Sequence, residues 1–460
     1  MRKTREKEHF FTKDKSFYRT LFRMLTVVAL QNLVAYSVNM ADNIMLGSYD
    51  QTALSAAATV NQIFFMVQQF ALSIGNALVV LASQYWGEKR ILPVRTLTGI
   101  ALKLGIVVSA AIILLCALIP GPLLYLFTDS QAIVAEGMRY LALIQWTFAL
   151  FIITNVLMAA LRSVGIVNIS FYISVVSLIV NVAINYTLIF GKFGFPELGI
   201  LGAAVGTVAA RILELGIVLI YLLRYDKKLR LFDGGLLTKD QSLRRDYTKV
   251  YIPIMCSQVL WGISVPMQTA ILGHLSDDAI AANSVATTFY QYLKVIVIAM
   301  SSTSAVMIGN AIGRGDERRI RSDARTMSVI DVAIGLVLGV ALFLLRKPLI
   351  SCYSLTDTAA TMAVNLMVVM SFVMVGMSYQ MPVSFGIIQG AGDGRFTMAM
   401  NMISTWLIVM PLSFLAAFWW KWPIEAVVLV IQSDQIFKGL PTFIRFRGYK
   451  WIRKLTKPAD

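Results

Sequence analysis

The 460 residues hold little of what a soluble enzyme is built from. Only 14% are charged, where an ordinary globular domain carries about a quarter. There are two histidines, His9 and His274, and three scattered cysteines, Cys116, Cys256 and Cys352. Zinc, haem and iron–sulfur chemistry need clustered ligands at short spacing, so no metal centre and no cofactor is expected. The cysteines sit in apolar stretches and read as unpaired, buried thiols. No G-x-x-x-x-G-K-[ST] run occurs, which leaves no P-loop. Gly390, Gly392 and Gly394 follow no strand and read as a turn between helices. No nucleophile–base pair is visible, so the chain is not expected to be an enzyme. The first twenty residues are basic and amphipathic without an apolar h-region, unlike a secretory leader.

What the chain has in quantity is apolar surface: 57% of its residues are hydrophobic and mean hydropathy is +0.70. A water-soluble core cannot hide that much, so lipid is the main solvent. The basic balance (41 Lys and Arg against 25 Asp and Glu, formally +16) would otherwise invite nucleic acid. Its distribution removes that reading. Apolar runs of about 20 residues or more, enough to cross a bilayer, recur near 21–47, 52–82, 94–118, 133–159, 166–190, 199–223, 250–273, 279–308, 325–345, 359–387, 396–419 and 424–444. With residues near span ends, and Lys438, counted on the side of the adjoining loop, the side of the membrane that holds the termini and the even-to-odd loops collects 34 Lys and Arg and the other side 5, leaving Arg211 and Lys294 within spans. Positive charge stays in the cytoplasm, so both termini are expected there, in a multi-pass protein of the plasma (inner) membrane. The spans themselves carry four acids, Asp42, Glu214, Asp331 and Asp434, and are slightly negative, which suits a cationic cargo.

The fold class expected is all-α: twelve transmembrane helices in two pseudo-symmetric six-helix lobes. The boundaries read as a segment 1–20, an N-lobe 21–223, a polar linker 224–249, a C-lobe 250–445 and a basic tail 446–460. The halves resemble each other. ADNIMLGSYDQTALSAA (Ala41 to Ala57) aligns without gaps on MQTAILGHLSDDAIAAN (Met267 to Asn283), and the same offset of 226 places Gly87 on Gly313. Parallel repeats put a substrate site between two bundles, and rocking of one against the other gives alternating access.

Ionisable groups inside lipid are functional hypotheses by default. Asp42 lies two-thirds along span 1, beside Asn32, Tyr36, Asn39 and Asn43 at helical spacing, with no basic neighbour in that span. It can hold a proton, a coupling ion such as Na⁺, or a cationic substrate. Ser170, Ser174, Ser177, Asn181 and Asn185 form a second polar stripe in span 5, either ligands or interhelical hydrogen-bond partners. Span 6 adds Thr207, Arg211 and Glu214 on one face. The Arg211–Glu214 pair is expected to neutralise itself, and Gly202-x-x-x-Gly206 marks close packing. Asp331 and Asp434 have no counterpart acid in the other half and are expected to be paired. In the second half, Met367, Met370, Met374, Met377 and Met381 line one face of span 10, as an adaptable binding surface or a packing stripe. Gln268, Tyr290, Gln291 and Lys294 complete its polar inventory. The candidate cavity is therefore Tyr36, Asn39, Gln268, Tyr290, Met370 and Met374.

At this level of detail the chain resembles the multidrug and toxic compound extrusion (MATE) transporters. The resemblance rests on ADNIMLG with SAAATVNQ, QYWGEKR, ALRSVG, and NYTLIFGKFGFPELGILGAAVGTVAAR across spans 5 and 6. It implies two V-arranged six-helix lobes and export of cationic, amphipathic compounds in exchange for H⁺ or Na⁺. By that resemblance Asp42, Asn181, Asn185 and Thr207 form the coupling-ion or substrate-cation site. One branch of the family has Asp where Asn185 stands. Acids that other branches place in spans 7 and 10 are missing here, as is the proline at which span 1 of some members bends. The partners implied are small organic cations and the bilayer, with no nucleic acid and a working monomer. The alternative is a lipid or lipid-linked oligosaccharide flippase of a related superfamily, which needs a basic cavity.

Overall fold

The structure, a computed structural model, describes residues 11–273, 277–351, 353 and 355–457. His9, His274 and Cys352 lie outside them, and Cys116 and Cys256 are free thiols. All regular structure among the described residues is helical. A bilayer permits this because a helix satisfies its own backbone hydrogen bonds.

Eleven helices are long and apolar enough to span. They are α1 (Lys15–Tyr49), α2 (Gln51–Gly87), α3 (Ile91–Leu118), α4 (Gln131–Ser163), α5 (Asn168–Ile189), α6 (Ile200–Arg224), α7 (Gln241–Gly273), α8 (Asp277–Arg314), α9 (Glu317–Ile350), α10 (Asp357–Met381) and α11. Helix α10 runs on as a π-helical stretch, Pro382–Ile388, and α11 (Gly394–Trp419) alternates α- and π-helical turns. The twelfth expected span is not one rod. Residues 424–444 fall in three successive short helices, α12 (Ile424–Gln432), α13 (Asp434–Phe437) and α14 (Gly439–Arg447). Ser433 and Lys438, which separate them, keep right-handed helical torsions.

Polar side chains set the ends. Asp50 ends the first hairpin turn by accepting the Ala53 amide of α2 at 2.8 Å. Asp240 does the same for Leu243 at the start of α7, at 2.9 Å. Thr356 caps α10 and Asp316 caps α9, each satisfying one of the donors a helix start leaves free. Gly392, at φ 98°, makes the turn before α11 in a region that a side chain disfavours. The polar stretch 224–249 is ordered. Asp226 accepts the amides of Lys228, Leu229 and Arg230, and Arg95 at the foot of α3 donates to the Leu229 and Asp233 carbonyls.

The chain divides into two compact units. One holds residues 30–82 and 90–251. The other holds residues 1–29, 83–89 and 252–460, so α1, α2 and α7 each contribute to both. In the second unit the end of α2 meets α8 in a symmetric contact. A Cβ on Gly87 would overlap the Asn310 carbonyl oxygen, and one on Gly313 would overlap that of Gln84. Each would also come to 3.0 Å from the other glycine's Cα. Gln84 pairs with Asn310 and Gly87 with Gly313 at the repeat offset. Only residues without a side chain allow backbones so close.

The chain's last described residues bind the same helix end. Gln84 Oε1 accepts from the Leu455 amide at 2.8 Å, and Lys454 reaches Glu88 at 2.8 Å. Asp393, almost wholly buried, takes both Arg445 (2.6 Å) and Arg453 (3.0 Å). At the other terminus Arg319 donates to Asp14 at 2.5 Å. The Ser16 amide, with that guanidinium, holds the Asp14 carboxyl below its ordinary range.

Candidate functional site: the Asp42 cluster

In the first unit, four helices bring polar side chains to one place. Asn185 of α5 donates its amide to Asp42 of α1 at 2.6 Å and to Asn181 Oδ1, one turn away, at 3.3 Å. Both asparagines are buried. Asn185 Oδ1 and Asn181 Nδ2 have no hydrogen-bond partner. Orphaned buried groups of this kind are uncommon and ask for a reason. The position of the Asn185 amide is set by α6: a Cβ on Gly206 would overlap Asn185 Oδ1 and sit 3.0 Å from its Cγ. Gly202, one turn earlier, lets α6 lie against the backbone at Leu188 and Ile189, with a Cβ there at 2.6 Å from the Leu188 carbonyl carbon. The glycine pair thus brings α6 against α5 and leaves the amide its room.

Thr207 donates to its own helix at the Ala203 carbonyl, 3.0 Å, and lies near Tyr140 of α4. Tyr140 is buried and electrostatically coupled to Asp42. Sequence reading did not single it out. It stands in an apolar span with no polar stripe, and its ring is indistinguishable there from a core aromatic.

Arg211 acts on Asp42 electrostatically, but its direct partner is Glu214, at 2.7 Å. Ser177 donates to the other oxygen of Glu214 at 2.6 Å. The guanidinium also lies over the Phe151 ring, 5.0 Å from its centroid. The expected self-neutralised pair is therefore present, and the α5 stripe divides in two. Ser177 serves the ion pair, while Asn181 and Asn185 serve Asp42. Tyr36 is half-buried and Asn39 exposed.

The second unit holds its polar groups differently. Met370 and Met374 are fully buried in an apolar cluster with Met367, Met377 and Leu366. The Tyr290 hydroxyl contacts Met377 Sδ at 3.2 Å. Gln268 is half-buried. Lys294 has its ammonium 5.3 Å from the centre of the Trp261 ring and is coupled to Asp434. Asp434 is ion-paired, but with Lys438, at 2.6 Å, which also donates to Asn401 at 2.9 Å; Asn401 in turn donates to Ser257. Lys438 corrects the charge tally. It falls within the 424–444 run although its charge is counted on the cytoplasmic side, and it is 3% exposed, more deeply buried than Arg211 or Lys294. The expected pairing of Asp331 is absent, since its Oδ2 is buried without a partner. Among the described residues no three His, Cys, Asp or Glu side chains come together to hold a metal ion.

A family model described as MatE matches residues 28–187 and 253–415, well over half the chain and one block in each half. The chain belongs to the MatE family. Members of this family are transporters, not enzymes. This MatE transporter is 23% identical over 445 residues to "Uncharacterized transporter YisQ" of Bacillus subtilis, covering 96% of each chain. It is 23% identical over 428 residues to "Probable multidrug resistance protein NorM" of Thermotoga maritima, covering 92% of this chain and 91% of the relative. Its fold matches the crystal structure of a variant of the Vibrio cholerae MATE transporter VcmN with a TM-score of 0.86, over 96% of this chain and 98% of that one, at 18% identity. The all-helical MATE fold is thereby shown, and the chain is a multi-span membrane transporter of a multidrug efflux family.

Proposed function

We propose that this MatE transporter is an efflux antiporter that exports cationic, amphipathic organic compounds in exchange for H⁺ or Na⁺. The observation that carries the reading is the Asp42 cluster: one membrane-embedded carboxylate, held by Asn185, beside a buried amide oxygen and a buried amide nitrogen that nothing satisfies. A cation at Asp42 gains the free Asn185 oxygen once the amide, whose nitrogen now faces Asp42 and whose oxygen lies against Gly206, swings round. A proton gains the carboxylate alone. Either occupant neutralises the charge that a cationic substrate would otherwise seek, so ion and substrate compete for one group, and competition at one site is what exchange requires. Turning that competition into transport needs an occupant that binds the two access states unequally. A shift from 1:99 to 99:1 takes about 5.5 kcal/mol of such difference. Arg211 does not compete, because Glu214 and two aromatic faces hold it.

The arrangement favours a cation over a lipid-linked pyrophosphate. Arg211, Lys438 and Lys294 are each held by an acid or an aromatic ring, which takes these three cations away from a pyrophosphate. The same reading places the protein in the plasma (inner) membrane with both termini in the cytoplasm, working as a monomer. The test is reconstitution in vesicles with an imposed pH or Na⁺ gradient and ethidium as cargo. Asp42→Asn should remain folded in the membrane and lose gradient-driven export. Export by that variant against a gradient at the wild-type rate refutes the assignment.

A further inference from the structure

The second unit has a buried acid that neither its packing nor the Asp42 site uses. Asp331, in the middle of α9, is 2% exposed, and its Oδ2 meets no donor and no cation. Other buried acids of this chain are partnered: Glu214 by Arg211 and Ser177, Asp434 by Lys438, Asp393 by two arginines. One turn along α9, Gly335 presses the helix onto α10 so closely that a Cβ would overlap Ser378. Beyond that contact α10 passes through Tyr379 and widens into the π-helical stretch that begins at Pro382, and π-helical turns recur at functional sites. Tyr379 is electrostatically coupled to Asp331, and its hydroxyl is a second buried orphan. It also lines an open groove of about 400 Å³ with Ser328, Val332, Phe443 and Phe446.

We infer that Asp331 with Tyr379 is a proton-binding site of the second unit, loaded through this groove. An unpaired carboxylate buried without a donor is costly to keep charged. Taking up one proton from water gives a neutral carboxyl group with an O–H to donate, and the Tyr379 oxygen lacks a partner. Releasing it restores the anion, with nothing else oxidised or reduced. The groove wall is almost wholly apolar, which suits a proton handed on through water and a hydroxyl better than a metal ion shedding its shell. Tyr379 is the titratable group that faces Asp331 from α10. Among the described residues, no charged side chain on α8, on α10 or on the π-helical stretch is coupled to it.

In the transport cycle, which rests on the antiport reading above, the site adds a proton step in the unit that lacks Asp42. The pH dependence of export then reflects two carboxyls rather than one.

Difference infrared spectroscopy of the purified protein over a pH series reads the carboxyl C=O stretch directly, without any transport assay. One titrating carboxyl band should be present in wild type and in Asp42→Asn and lost in Asp331→Asn. An Asp331→Asn spectrum that titrates like wild type overturns the proposal, as does a band that never titrates. Should Asp331→Asn fail to fold, Tyr379→Phe keeps the acid and should shift the midpoint of that band. An unmoved midpoint overturns the role of the hydroxyl. In vesicles with ethidium, Asp331→Asn should reduce the pH profile of export from two steps to one. If wild type itself does not export, the antiport reading fails while the infrared band still decides Asp331.

Discussion

Replacing Gly206 by alanine should disable the Asp42 site without touching any polar group. The new methyl would overlap Asn185 Oδ1 and lie 3.0 Å from Cγ, where carbon–carbon contacts prefer 3.5–4.0 Å. The amide must turn or α6 must retreat. Turning the amide breaks the 2.6 Å bond to Asp42, and hydrogen bonds to a charged group are worth about 1.5–3 kcal/mol. Retreat of the helix costs about 1–3 kcal/mol of packing. By the first route, apparent affinity for the coupling ion shifts roughly 10- to 100-fold, at 1.4 kcal/mol per decade, and upward for a proton, because the carboxylate loses the donor that stabilises its charge. Gly202→Ala is the control. Its methyl meets the Leu188 backbone on the same helix pair and leaves the Asn185 amide alone. Thermal unfolding in detergent and ion-driven ethidium efflux from vesicles, measured on both variants, separate the two effects. Both should lose stability to a similar degree, and Gly206→Ala should shift its ion dependence in addition. Equal loss of transport in the two variants, or wild-type ion affinity in Gly206→Ala, would show that the glycine pair only packs helices.

Two further outcomes follow from contacts in the second unit. Gly87→Ala and Gly313→Ala should each destabilise by about 1–3 kcal/mol and by similar amounts, because each methyl meets the other helix of the contact in the same way. Since the two sites touch, the double variant should lose less than the sum in a thermal melt. Lys438→Met leaves Asp434 buried without its ammonium, which costs about 3–5 kcal/mol. Adding Asp434→Leu should recover most of the lost melting temperature, and failure to recover would mean that Lys438 does more than neutralise its neighbour.

Much of the scaffold is legible in the chain itself. Long apolar runs gave eleven spans near their observed places, because a helix is the one way to hide the backbone of such a run in lipid. The turn at Asp50 and the pair Arg211–Glu214 were readable for the same reason: both depend on residues three apart in one helix or cap. The breaks at Ser433 and Lys438 were not. Nothing in an apolar run records where its hydrogen-bond ladder tightens, or that Lys438 reaches Asn401 from 37 residues away. At the site, Asp42, Asn181 and Asn185 announce themselves as polar groups in lipid, whereas Tyr140 reaches them from an apolar helix. The orphan state of Asp331 is a fact about absent neighbours, and no single stretch of sequence encodes an absence.

The contact around Gly87 and Gly313 ties two distant positions of the chain to one constraint. Gln84 faces Gly313, and Asn310 faces Gly87, so each side of the contact presents what the other side presents. A side chain gained at either glycine meets a carbonyl oxygen at the same place in the packing. Neither position can therefore change alone without the facing helix giving way, and the two glycines are one packing decision written twice in the chain.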